Sequence, residues 1–286
     1  MSSTCGLNFN WIHHTYDSWT SKYPPDARFR VPSSKRRGDI KVKMYKPSYM
    51  AELEARKESE QEGNKMKYAV HINVHGGRLG FRTFFKSDGE FCRAISRETG
   101  AIVLDCNYNK SPTHSFSDAY DDVCDIVNHV LANEEGRYDT SRFTIGGFSL
   151  GGAIALVVSA TMPQNTFKAV TAFYPMTDIE SDPEPHSMPT FSRLHISDSR
   201  LSPHNHPASD FPNKMLLVLC EYDQLHDEAA SFAKKLREEG KDVEIMDIPG
   251  VGHGWDKSAK AGTDVGAKRV RAYDKAVEVL RMAYVY

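Results

Sequence analysis

The chain has 286 residues, 40% of them hydrophobic and 26% charged, with a formal net charge of −2. That length is ordinary for one α/β domain, and it buries enough surface on folding to need no covalent staples. The near-neutral charge gives no reason to expect nucleic acid or an anionic membrane as a partner.

In chain order, β-type runs occupy 40–45 (IKVKMY), 68–75 (YAVHINVH), 101–108 (AIVLDCNY), 142–148 (RFTIGGF), 167–174 (FKAVTAFY), 214–220 (KMLLVLC) and 242–248 (DVEIMDI). Several are unbroken apolar blocks, the pattern of strands covered on both faces. Helical patterns lie between them. One carries Tyr120, Val123, Val127, Val130 and Leu131 as an apolar stripe. A second carries Ala229, Phe232, Ala233 and Leu236 and ends at Gly240 as a C-terminal cap. The last turns Val270, Tyr273, Val277, Leu280 and Tyr284 inward. Strands alternating with helices predict an α/β fold, a mainly parallel twisted sheet of about eight strands with helices on both faces. Residues 1–286 read as a single domain. Residues 46–66 read as a solvated excursion. Residues 176–212, rich in Pro, Ser and His, are too long for a plain connection and read as a lid or binding loop.

The five cysteines, Cys5, Cys92, Cys106, Cys124 and Cys220, are odd in number and form no CxxC pair. Three sit in apolar runs, where free Cys acts as a small hydrophobe. A reducing, cytoplasmic compartment is therefore expected. The first residues lack a basic region followed by an apolar one, so no secretory signal is expected, and no apolar run reaches the ~18 residues of a membrane span. The basic run SKRRG at 34–38 reads as a solvated face.

Ligands of such sheets bind beyond the carboxyl ends of the strands, and chemistry-bearing residues cluster there. Gly147-Phe148-Ser149-Leu150-Gly151 is G-x-S-x-G between a strand and a helix, the setting that lifts a serine hydroxyl clear of a sheet. A serine needs a base to take its proton and a carboxylate to orient that base. Asp223 lies just past the strand 214–220, and His253 lies in a Gly-rich loop past the strand 242–248. Glu221 and Asp227 are rival acids, and His226, His204 and His206 rival bases. His75-Gly76-Gly77 ends another apolar strand, where bare glycines let backbone N–H groups approach a substrate oxygen. The N–H of Leu150 supplies a further donor. His204 and His206 lack further ligands at a recognisable metal spacing, and neither a metal nor an organic cofactor is implied.

The motifs HGG, YNKSPTHSF, GGFSLGG, YDQLHDE and GHGW, in that order, resemble the hormone-sensitive-lipase-like branch of the α/β-hydrolases. The resemblance implies Ser149 as nucleophile, Asp223 as acid, His253 as base, and Gly76, Gly77 and Leu150 around the oxyanion hole. It also implies a small cap from residues 1–35, with Trp11, Tyr16, Trp19, Tyr23 and Phe29, and from 176–212. Three departures stand out. Arg78 replaces a third oxyanion glycine, and Phe148 replaces the Asp before the nucleophile; both are expected to contact substrate. Tyr108-Asn109-Lys110 replaces Tyr-Arg-Leu, so supporting contacts differ.

The expected reaction is hydrolysis of carboxylic esters of small to medium acyl or aryl groups through an acyl-enzyme. Acyl transfer, lactonisation or cyclisation, and amide or formamide cleavage share that intermediate and stay open. So does a non-catalytic small-molecule receptor on the same frame. The expected partner is a small-molecule ester or acyl substrate, with neither nucleic acid nor membrane. A homodimer is among the assemblies left open.

Overall fold

A computed structural model describes residues 22–50, 66–77, 88–109, 115–178 and 202–285. Its strands are β1 (Ala27–Pro32), β2 (Asp39–Tyr45), β3 (Tyr68–Val74), β4 (Ile102–Asn107), β5 (Tyr138–Phe148), β6 (Ala169–Phe173), β7 (Lys214–Cys220) and β8 (Asp242–Ile248). Its helices are α1 (Gly89–Thr99), α2 (Phe116–Ala132), α3 (Leu150–Thr161), α4 (His226–Glu238) and α5 (Asp264–Val285). The strands form one sheet in the order β1-β2-β4-β3-β5-β6-β7-β8. Pairing is parallel from β4 through β8, and antiparallel for β1 with β2 and β2 with β4. The expected α/β class, with a mainly parallel sheet of about eight strands, is what the chain adopts.

Alternate residues of each strand face opposite layers. On β7, Met215, Leu217 and Leu219 join the core under α2, α3 and α4. Leu216, Val218 and Cys220 join the core under α1 and α5. α3 is buried along nearly its whole length, as a helix apolar all round must be. α2 opens with a capping box: Ser115 Oγ accepts from Asp118 N, and the Asp118 carboxylate accepts from Ser115 N, which satisfies two of the orphan donors of the first turn.

Several expectations are corrected. Residues 27–32, assigned to the cap, form the edge strand β1, where Phe29 packs against the core. Residues 202–212, also assigned to the cap, fold back as two 3-10 turns that bury Ala208 and Phe211. Phe211 meets Phe232 of α4 at 5.4 Å between ring centres. Met50, within the expected solvated excursion, is buried. Val270 is 53% exposed rather than inward. Gly240 does follow α4 in the left-handed region, at φ 88°. Residues 1–21 and 179–201 of the expected cap, including Trp11, Tyr16 and Trp19, lie outside the described residues.

Candidate active site

Three strand ends converge. Ser149 sits between β5 and α3 with φ 53° and ψ −123°, a strained geometry for a non-glycine residue. Its own N–H donates to Phe173 O on β6 at 2.9 Å, which pins the turn to the neighbouring strand. The turn is possible because its flanking glycines carry no side chains. A Cβ on Gly147 would fall 2.5 Å from Val74 O, and one on Gly151 would collide with Val74 O and His75 O. Those are backbone atoms of the β3 end, so α3 starts directly on the segment that bears Gly76 and Gly77.

Ser149 Oγ lies 2.7 Å from His253 Nε2, and His253 Nδ1 lies 2.6 Å from Asp223 Oδ2. A carboxylate can only accept, so Nδ1 carries the proton and Nε2 is left to accept from the serine hydroxyl. Asp223 Oδ1 also accepts from Leu225 N at 3.1 Å, which fixes the carboxylate from its other side. Burial is graded along this chain: the Asp223 side chain is 2% exposed and that of His253 is 32% exposed. The imidazole thus faces the solvent side while the carboxylate bonded to it is sealed from water.

Gly76 lies alongside this turn: a Cβ there would sit 3.8 Å from Ser149 Cβ. Gly77 lies against Tyr108, whose hydroxyl donates to His75 O at 3.0 Å. The His75 ring stacks on Tyr108 at 4.5 Å, and its Nδ1 is 2.8 Å from Gly76 O. Leu150 opens α3, so its N–H is among the helical donors without an intrahelical acceptor. Arg78 and residues 110–114 of the YNKSPTHSF motif lie outside the described residues.

The rival residues are drawn elsewhere. Glu221 accepts from Gly250 N at 2.6 Å. His226 is bound between Asp227 and Asp247 at the surface, at 2.8 and 3.0 Å. The carbonyls of His204 and His206 accept from Lys235 Nζ. Among the described residues no group of three or more His, Cys, Asp or Glu is arranged to hold a metal ion.

Phe148 is corrected. Its side chain is wholly buried, against Phe91, Phe173, Tyr174 and Tyr273. The Lys257 ammonium lies 3.2 Å from its ring centre. A ring so enclosed does not reach substrate. Strand alternation is the cause: Phe143 and Ile145 face the α2–α4 layer, and Phe148 turns into the α1/α5 layer.

Sequence reasoning missed the polar cluster around that ring. Lys257 Nζ is 2.8 Å from Asp88 Oδ1 and 3.0 Å from Asp256 Oδ2. Asp256 also accepts from Tyr174 OH at 2.6 Å and Tyr273 OH at 2.8 Å. Asn73 Nδ2 donates to Asp88 and Asp105 at 3.1 and 2.9 Å. Burial opposes charge on Lys257, but the Asp256 and Asp88 carboxylates outweigh it and hold the ammonium's pKa above its ordinary value. Burial, reinforced by the Asp256 charge, pushes the Tyr174 and Tyr273 hydroxyls well up. The signal was available: Asn73 and Asp105 interrupt otherwise apolar strand blocks, and polar residues there are buried only with partners.

The family model for the alpha/beta hydrolase fold matches residues 71–257, more than half of the chain. The chain therefore belongs to the α/β-hydrolases, in the hormone-sensitive-lipase-like branch that its motifs resemble. Its class is that of carboxylesterase-type hydrolases. An ethyl acetate hydrolase of Pseudomonas putida is 23% identical over 216 residues, 68% of each chain. A human arylacetamide deacetylase-like 3 protein is 30% identical over 138 residues, 48% of this chain but only 30% of that relative's length. An esterase structure from Pyrobaculum calidifontis superposes with a TM-score of 0.72 at 20% identity, covering 98% of this chain and 94% of that one. No described helix is long and apolar enough to cross a membrane.

Proposed function

We propose that the protein hydrolyses carboxylic esters of small to medium acyl or aryl groups, with Ser149, His253 and Asp223 as its catalytic triad. His253 Nε2 takes the Ser149 proton as Oγ attacks the acyl carbonyl. Asp223 keeps the imidazole in the required tautomer and stabilises its cationic form. The developing oxyanion is held by the N–H groups of Gly76, Gly77 and Leu150, where oriented donors are worth most. His253 then returns the proton to the departing alcohol, and water, activated by the same imidazole, cleaves the acyl-enzyme. The observation that carries this reading is the unbroken pair of hydrogen bonds from Ser149 Oγ through His253 to Asp223. The relative named for ethyl acetate hydrolysis supports the small end of the acyl range.

A series of p-nitrophenyl esters from acetate to decanoate tests it. The wild type is expected to turn over the short and middle members fastest. Ser149→Ala is expected to lose activity by a factor on the order of 10⁴ to 10⁶ and to escape labelling by a fluorophosphonate. Undiminished turnover by Ser149→Ala would overturn the assignment of the nucleophile, and an unlabelled, inert wild type would favour a receptor.

A further inference from the structure

Two hydrogen bonds hold the His253 ring, one at each of its nitrogens. They leave rotation about the line joining the nitrogens unopposed. A base free to rotate in this way would spend part of its time with its acceptor lone pair turned off the serine hydroxyl. The ring packed against the imidazole is that of Tyr174, in an edge-to-face arrangement with ring centres 4.8 Å apart and an interplanar angle of 63°.

Tyr174 is unusual in three respects. It follows β6 with φ 39°, a left-handed conformation that a bulky side chain adopts only when its surroundings impose it. Its N–H donates to Val218 O on β7 at 2.7 Å, so the distortion is locked from the sheet side. Its hydroxyl donates to Asp256 Oδ1 at 2.6 Å, three residues beyond the imidazole on the same loop. Tyr174 therefore grips the base loop at two points, ring against ring and hydroxyl against carboxylate. The residue before it, Phe173, holds the Ser149 N–H. One corner of backbone thus fixes both the serine turn and the imidazole.

We infer that Tyr174 is a positioning residue for His253, acting through the tether of its hydroxyl to Asp256. The inference rests on His253 serving as the base, as proposed above. Tyr273 provides the internal comparison. It is also buried and donates to the other oxygen of the same carboxylate at 2.8 Å, yet it stands on α5 and its ring packs on Phe91, Phe148 and Phe173. If Asp256 served only to hold the core together, loss of either hydroxyl would have the same consequence.

The test is the pair Tyr174→Phe and Tyr273→Phe, each of which deletes one oxygen and keeps the ring. Turnover of p-nitrophenyl butyrate is measured per active site, titrated with a fluorophosphonate, so that any unfolded fraction drops out. Tyr174→Phe is expected to lower kcat about tenfold with KM within about twofold, as small misplacements of a reacting group do. The low-field NMR resonance of the proton between His253 and Asp223 is expected to broaden. Tyr273→Phe is expected to keep wild-type kcat and a sharp resonance while losing comparable Tm. Should Tyr174→Phe not fold, Asp256→Asn weakens the same tether from its other end and must show the same fall in kcat. Equal kcat in the two Tyr→Phe variants overturns the role of Tyr174 while leaving the triad intact. Activity surviving in His253→Ala or Ser149→Ala overturns the triad itself.

Discussion

At Gly151 one methyl group decides whether the serine turn can form. The added carbon would overlap Val74 O and His75 O, both backbone atoms of the β3 end that cannot swing aside. Gly151→Ala must therefore push α3 away from β3, separating Ser149 from Gly76 and Gly77. Overpacking of this kind costs roughly 1–3 kcal/mol, so Gly151→Ala is expected to melt several degrees below the wild type by calorimetry. Its esterase activity is expected to fall further than the lost stability explains, because the serine and the proposed oxyanion donors are displaced relative to each other. An alanine variant with unchanged Tm and kcat would show that the turn does not depend on this clearance. The same scale explains why Phe148 was misjudged. Its place beside Ser149 suggests contact with substrate, but the pleat sends neighbouring side chains to opposite sides of a strand, and the ring is sealed against Lys257.

At the scale of elements, α4 reaches back to the segment that follows β6. The Glu228 carboxylate, in its first turn, accepts from the N–H groups of Thr177 at 2.6 Å and Asp178 at 3.3 Å. Burial pushes the Glu228 carboxyl above its ordinary pKa, and these N–H donors only partly oppose the rise. A carboxyl whose pKa is raised on folding binds its proton more tightly in the native state. Stability therefore falls as pH rises from the unfolded value towards the raised native one. Glu228→Gln keeps an acceptor for Thr177 and cannot ionise. The difference in Tm, variant minus wild type, is expected to grow more positive as pH rises across that window. Melting curves of both proteins from pH 4 to pH 8 check the sign, and a difference that grows more negative would refute it. Most elements were legible for an equally local reason. Both faces of the central strands are covered, so β3, β4, β6 and β7 appear as apolar blocks. β1 was not legible, because an edge strand with one face exposed alternates Arg with Phe and Val and carries no such block.

Across the whole molecule, the residues proposed as the triad were readable because each falls just past a strand end, where a parallel sheet gathers its loops. Their chain order then selected among the alternatives. What could not be read was pairing between distant segments whose residue types look generic. Arg36 lies in the basic run that read as a solvated face, yet its Nη2 is 2.6 Å from Asp122 Oδ1 on α2, whose side chain is 1% exposed. The other oxygen of Asp122 accepts from both N and Nδ2 of Asn109, each at 2.9 Å. Asn109 follows Tyr108, which holds His75 O beside the glycines of the proposed oxyanion hole. The turn between β1 and β2 is in this way fastened, through a single buried carboxylate, to the end of β4. Among the described residues Arg36→Ala leaves that buried carboxylate with its Asn109 donors alone, and loss of a hydrogen bond to a charged group costs roughly 1.5–3 kcal/mol. The midpoint of urea unfolding is expected to drop by the corresponding amount with an unchanged slope, since the surface exposed on unfolding is the same. Arg36→Ala combined with Asp122→Asn is expected to recover part of the loss, because the asparagine brings no charge to be left unpaired. A double variant no more stable than Arg36→Ala alone would mean that the guanidinium acts through packing, with the charge of Asp122 playing no part.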